Sequence, residues 1–342
     1  MILSFSALRF MNALMIFFHH KNSIESPFLE AFGPCAVSFF FILSGFSMCF
    51  GYYEKCLKSE FNWKNFMIRR FVRIYPLHIL CLCTWLLLNF RNILRGGVLA
   101  NILLIQSWIP DSSIYFSCNA VSWCLSDLMF FYALFPFVVK LIQNKRFLLL
   151  FSVIFILFYT ISILFMPEKY AHGVVYINPL YRFADFYIGI LLFRLYKATM
   201  NDRNFKNNFS ALFFQILSAF IVLISLYAYK CFPEKIKYQC LFFIPNAIVV
   251  FVFAFYDQYG IAKLFHNRFF YSLGKISFDF YLIHTLGISF INSVLEKCGL
   301  EISFIYRALL QFMFVLMGSF FVYYFYDKKV ASKLSLIFME EK

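Results

Sequence analysis

The chain has 342 residues, 62% of them hydrophobic and only 14% charged, with 52 Phe and 22 Tyr. A soluble domain carries about a quarter charged residues, so this composition excludes an ordinary soluble enzyme and indicates an integral membrane protein. The net charge of +14 would suggest a nucleic-acid partner on a soluble chain; here the basic residues sit mainly in alternate loops, as positive-inside sorting places them.

Eleven apolar runs follow one another: 4–19, 34–51, 74–90, 98–109, 121–139, 147–166, 179–196, 209–231, 239–256, 271–291 and 304–326. Most have the roughly 17–25 residues a helix needs to cross hydrocarbon. The alternating ten-residue segments of a membrane β-barrel are absent. The fold class is therefore all-α and polytopic. The first run lacks a basic leader and ends in "HHKN" rather than small residues, so it is expected to stay as a span and not to be cleaved. Ten scattered cysteines show no paired CxxC spacing and read as small buried hydrophobes. No metal site is expected.

Loop charge fixes the count of crossings. The stretches 52–73, 140–146, 194–208, 263–268 and the tail hold nineteen Lys and Arg; the remaining loops hold eight, including Lys21, Arg91 and Arg95. That bias survives only if 98–109 does not cross, and this run is also short for a span. Ten crossings are predicted, with both termini cytoplasmic and 98–109 re-entrant or interfacial. The basic stretch "KCFPEKIK" (230–237) fits its assigned outer side poorly. No connection is long enough for a soluble catalytic domain, so the chain reads as one membrane-embedded domain, 1–342, with its motifs in 6–326.

Polar side chains inside spans cost about 2.5 kcal/mol or more at the centre, so they face partners or cavities. In the first run, Arg9 and His20 are eleven residues apart, which returns the helix to within about 20° of the same face. A snorkelling arginine and a helix-ending histidine would also explain them. His19 points about 100° away, so His20 is the preferred candidate of the two. In "VSFFFILSGFSMC" (37–49), Ser44-Gly45 allows close approach by a ligand or by another helix. In "FMIRRFVRIYPLH" (66–78), Arg70 and Arg73 lie one turn apart at a span mouth, suited to phosphates or to simple anchoring. Ser126 and Asp127 open a later span. Arg182 and Asp185 are spaced to neutralise each other. Ser277, Tyr281 and His284 form one stripe, with Asp279 on the opposite side.

In order, these motifs resemble the bacterial acyltransferase-3 family of integral membrane O-acyltransferases. Arg9 and His20 match its Arg-X10-His, "FFFILSGF" (39–46) its Phe-Phe-x-Leu-Ser-Gly-Phe, and Arg70 and Arg73 its Arg-x-x-Arg. "WCLSDLMFFYALFP" resembles Trp-Ser-Leu-x-x-Glu-x-x-Phe-Tyr, with Cys124 for Ser and Asp127 at or beside the usual Glu. "YRFADFYIGILL" resembles Arg-x-x-Glu-Phe-x-x-Gly, with Asp185 for Glu, and "ISFDFYLIH" is similar to the late Ser/Tyr/His element.

The resemblance implies a cytosolic acyl-CoA donor, most simply acetyl-CoA, and a cell-surface or lipid-linked glycan hydroxyl as acceptor, in the cytoplasmic (inner) membrane. Arg70 and Arg73 would bind the CoA phosphates. His20 would be the general base, with Arg9 stabilising negative charge or the CoA thiolate. Ser44, Asp127, Arg182, Asp185, Tyr281 and His284 would shape the cavity or orient the histidine. Direct transfer and an acyl-histidine both stay open, as do monomer and homodimer. A glycan transporter or flippase could use the same intramembrane charges and is the alternative function. Membrane lipids are partners in either case; nucleic acid is not.

Overall fold

The computed structural model describes residues 2–21, 26–58, 61–89, 97–200 and 207–331. Arg91, Arg95, Arg203, Lys206, Lys333 and Lys342, part of the loop-charge tally, lie outside the described residues. Ten long helices account for most of the rest: α1 Ser4–His19, α2 Pro27–Leu57, α3 Trp63–Leu88, α4 Trp123–Leu141, α5 Lys145–Phe165, α6 Pro179–Thr199, α7 Asn208–Ala228, α8 Cys240–Phe255, α9 Arg268–Lys297 and α10 Phe304–Val322. No strand occurs among the described residues. The protein is an all-α, polytopic integral membrane protein.

Five of these helices start the same way. Asn62, Asn144, Asn178, Asn207 and Asn267 sit at the N-caps of α3, α5, α6, α7 and α9, and each side-chain oxygen accepts a backbone N–H of the first turn. That satisfies a donor the helix itself leaves unpaired. α1 has no such cap of its own. Asp257, in the α8–α9 connection, accepts from the N–H groups of Leu3 and Ser4 at 3.3 and 3.0 Å instead, and His266 holds the same carboxylate at 3.1 Å.

Eight of the described helices are long and apolar enough to cross a membrane by length and composition alone. Of the ten long helices, the two that miss are α1, with 16 residues, and α6, which carries Arg182, Asp185, Arg194 and Lys197. These two helices carry predicted site residues, and both are packed inside the bundle. α1 lies between α2 and α9, and α6 runs along α2 with α4 and α8 beside it. α5 and α10 form the periphery and turn most of their apolar side chains outward.

The region 97–122 forms no helix long enough to cross a membrane. It breaks into the short helix Gly97–Ile102, a turn at Gln106–Trp108, the short helix Ser112–Tyr115 and a turn at Ala120–Ser122 that leads into α4. It packs against the middle of α3, where Tyr75 and His78 bond the carbonyls of Ile102 and Asn101 at 3.0 and 2.8 Å. Leu104, at the tip, takes a left-handed φ of 52° to turn the chain back. Irregular backbone packed against a helix needs internal partners. Asn101 supplies them by donating to Gly97 O and Ser117 Oγ and accepting from Ser122 Oγ, while Gln106 donates to Ser122 O.

The predicted cytoplasmic loops meet at one end of the bundle, where Lys197 pairs with Glu54, Tyr53 bonds Gln143, and Arg194 donates to Ile142 O. The basic stretch 230–237 lies at the opposite end, and its charges are answered there: Lys230 faces Glu30, Lys235 faces Glu168, and Lys237 faces Glu234, at 3.9, 3.9 and 3.5 Å. These pairs explain how a lysine-rich segment sits on the less basic side.

The closest helix approach is α2 against α6. A Cβ on Gly45 would lie 2.0 Å from Phe186 O, and one on Gly189 would lie 2.0 Å from Ile42 O. The close approach expected at Ser44-Gly45 is therefore made by another backbone at Gly45. Gly189→Ala should cost about 1–3 kcal/mol through overpacking. It should lower the temperature at which the detergent-solubilised protein loses its monodisperse chromatographic peak, while Gly51→Ala, with nothing within 4 Å, should not.

Candidate functional site

Two cavities of about 380 Å³ each lie end to end inside the bundle. The first opens toward the basic end. Its polar lining includes Arg9 of α1, Ser44 and Ser47 of α2, Arg70 and Arg73 of α3, and Lys275 of α9. No carboxylate appears among its described lining residues. Four cations sharing one space repel each other, so the arrangement is costly until an anion enters. The guanidinium groups are held by their surroundings. Arg70 donates to Tyr52 Oη at 3.1 Å and lies over the Tyr52 ring, Arg73 lies over Phe278, and Arg9 donates to Ser47 Oγ at 3.4 Å. Arg69 faces outward instead. Beyond the cations the wall turns apolar, with Phe40, Phe41, Leu125 and Leu128. A polyanionic head with a less polar tail fits that gradient. Ser44 bonds Tyr132 Oη at 3.3 Å on the same wall.

The second cavity lies toward the other end and is lined by His19, His20, Gly33, Phe116, Trp123, His172 and Tyr176, among others. His20 is exposed to this space. His19 also borders it, its Nδ1–H donating to Leu29 O at 3.3 Å. Its ring occupies the space a side chain at Gly33 would need, 2.8 Å from where a Cβ would stand. Burial pushes the His172 imidazole below the usual histidine range, the charge of Glu234 opposing it. Tyr115 Oη bonds its Nδ1 at 3.0 Å.

The hydrogen bonds around His20 fix its tautomer. A carbonyl oxygen only accepts, so the contact of His20 Nδ1 with Ile16 O, 2.9 Å, places the hydrogen on Nδ1. His284 Nδ1 likewise donates to Tyr281 O at 2.5 Å. The remaining nitrogen of His284, Nε2, then carries a lone pair, and it faces His20 Nδ1 at 3.2 Å. The single Nδ1–H of His20 is thus shared between Ile16 O and His284 Nε2, and donation runs from His20 to His284 to the Tyr281 carbonyl, which leaves His20 Nε2 unprotonated. That nitrogen has a lone pair free to accept a proton, and His284 orients the ring that carries it.

Arg182, Asp185 and Asp127 line neither cavity. They form a fully buried charged cluster behind the walls. Arg182 and Asp185 pair at 3.3 Å, and the carboxylate also accepts from Ser38 of α2 and Gln239 beside α8 at 2.5 and 2.7 Å. The guanidinium stacks between Phe41 and Tyr176, at 5.1 and 5.7 Å from the ring centres. Phe41 lines the cationic cavity and Tyr176 the histidine cavity, so the cluster braces both walls. Asp127 lies within electrostatic reach of the pair. Tyr281 lines both cavities and is pinned by a 2.6 Å bond to Val121 O. Asp279 points away toward α3, near Cys81.

Sequence reasoning did not single out Lys275 or His172. Lys275 stands two residues before Ser277, in the first turns of the site-bearing helix, and reads there as one more interfacial lysine. His172 sits in a connection with no periodicity to orient it. Among the described residues, no group of three or more His, Cys, Asp or Glu is placed to hold a metal ion.

A family model described as an acyltransferase domain matches residues 2–326. The chain is similar to the acyltransferase MdmB of Streptomyces mycarofaciens, 31% identical over 159 residues, which is 41% of this chain and 40% of that protein. The match therefore spans about two fifths of the relative's length. No solved structure matches. With a family match that runs through both cavities, the protein is a member of the acyltransferase-3 family of membrane proteins.

Proposed function

We propose that the protein transfers an acyl group, acetyl in the simplest case, from cytosolic acyl-CoA to a hydroxyl of a glycan or lipid-linked sugar across the cytoplasmic membrane. Both termini are cytoplasmic in this reading, and the basic end of the bundle faces the cytosol. What supports it is the end-to-end arrangement of a cation-lined cavity and a histidine-lined cavity.

Arg70, Arg73 and Lys275 bind the CoA phosphates with charge-assisted contacts, and the thioester arm extends past Arg9 toward the second cavity. The acceptor hydroxyl lies against His20. Its oxygen attacks the thioester carbon, the new C–O bond forms, and the C–S bond breaks. His20 Nε2 takes the hydroxyl proton as general base, and that proton ends on the departing thiolate. Arg9, on the donor side, stabilises the negative charge that develops on the sulfur. Phe116, Trp123 and Tyr176 offer apolar ring faces to the acceptor.

Membranes containing the protein, incubated with radiolabelled acetyl-CoA, should yield a labelled glycan whose label is released by mild base. Label that is base-stable, or absent while the glycan still changes sides of the membrane, would favour the transporter reading. His20→Ala should abolish transfer with insertion intact; a turnover near the native value would remove His20 from the mechanism. His284→Ala should lower kcat by roughly ten- to hundredfold, the worth of a hydrogen bond to a charged group, with little change in KM for acyl-CoA. His284→Gln can accept from His20 and donate to Tyr281 O, and it should recover part of that loss. Arg70→Ala combined with Arg73→Ala, and separately Lys275→Ala, should raise KM for acyl-CoA by about tenfold or more while kcat changes little.

A further inference from the structure

Among the described residues, Val37 and Tyr281 line both cavities. α1, α2 and α4 each pass from one cavity to the other. On α2, Gly33 lines the histidine cavity, while Phe40, Phe41 and Ser44 line the cationic one, with Val37 between them. On α1 the change falls between Arg9 and Ile16, and on α4 between Trp123 and Cys124. The wall between donor and acceptor is thus a thin layer, and its two sides differ in kind. Tyr281 is fixed: its hydroxyl donates to Val121 O at 2.6 Å, and its backbone carbonyl holds His284. Val37 makes no hydrogen bond through its side chain. It is β-branched, and on a helix such a side chain keeps essentially one rotamer.

We propose that Val37 is the specificity-determining residue for the acyl group: the side chain at position 37, opposite the fixed ring of Tyr281, sets the size of the acyl chain that passes from the donor cavity to the acceptor hydroxyl. Valine leaves room for a short, unbranched acyl group. A longer chain meets its methyl groups before its thioester carbon comes level with His20. The inference rests on the donor and acceptor assignments given above.

The test compares acetyl-CoA with butyryl-CoA in membranes containing the native protein, Val37→Ala or Val37→Leu, with binding of each acyl-CoA measured separately. Val37→Ala should raise the butyryl-to-acetyl ratio of kcat/KM by about tenfold, the scale on which a hydrophobic pocket discriminates methylene groups. Val37→Leu should lower that ratio, with acyl-CoA binding unchanged in both variants. Val37→Thr, of nearly the same shape, should leave the ratio at the native value and shows whether a polar atom alone disturbs the wall. A ratio that stays constant across Ala, Val and Leu, or that moves the same way in both directions of size, overturns the proposal. A purely structural role for Val37 would lower both activities together. If the native protein transfers neither acyl group from CoA, the functional reading itself has failed, an outcome distinct from an unchanged ratio.

Discussion

The architecture depends on the buried pair of Arg182 and Asp185. Two ions inside an apolar bundle depend on each other, since leaving one without its counter-charge costs about 3–5 kcal/mol; the hydrogen bonds go to the Asp185 carboxylate, and the guanidinium is held by the ion pair and by two rings. Here the partners come from several elements. Ser38 belongs to α2, Gln239 leads into α8, and the two rings that sandwich the guanidinium belong to α2 and to the segment before α6. The pair therefore fixes where α2 stands relative to α6 at the level where the two cavities meet. The glycine contact of Gly45 and Gly189 sets the same spacing further along. α2 lines both cavities, from Gly33 in the one to Tyr52 in the other.

Much of this was legible in the sequence. Ten of the eleven apolar runs correspond to the ten long helices, and the eleventh, 98–109, singled out by its length and by the loop charges, falls on short helical turns. The reason is that both signals are local: hydropathy needs only composition along one helix, and charge bias needs only the parity of crossings. Helical spacing also placed Arg70 and Arg73 on one face, and both reach one cavity. It placed Arg9 and His20 on one face too, yet they open into different cavities. A face has direction but no depth, and the wall at Val37 is built by neighbouring helices that the periodicity of α1 does not describe.

The same limit explains Asp127, Arg182 and Asp185. Their intramembrane position marked them as partnered, and they are clustered with one another. Which neighbour covers a charge, a cavity or a ring, is a tertiary fact. The region 97–122 shows the complementary case. Asn101, Gln106, Ser107 and Ser122 look like ordinary loop polarity, but beside the middle of α3 they take the place of water for a backbone that is neither helix nor sheet. The two long helices that fall short of a membrane span are also informative: α1 falls short by its 16 residues and α6 by its charges, and both are packed among other helices.

The two cavities are built from different material. The cationic one is lined by side chains of long helices locked to each other by close packing. The histidine one takes Phe116, Ala120, Val121, His172 and Tyr176 from connecting segments, and only its other side from α1, α2, α4 and α9. Connecting segments accept insertion and replacement far more readily than packed helices. On the helical side, Gly33 cannot gain a side chain while His19 keeps its place. The two cavities therefore differ in the change they tolerate: the connecting segments beside the histidines accept substitutions that the packed helices around the cations do not.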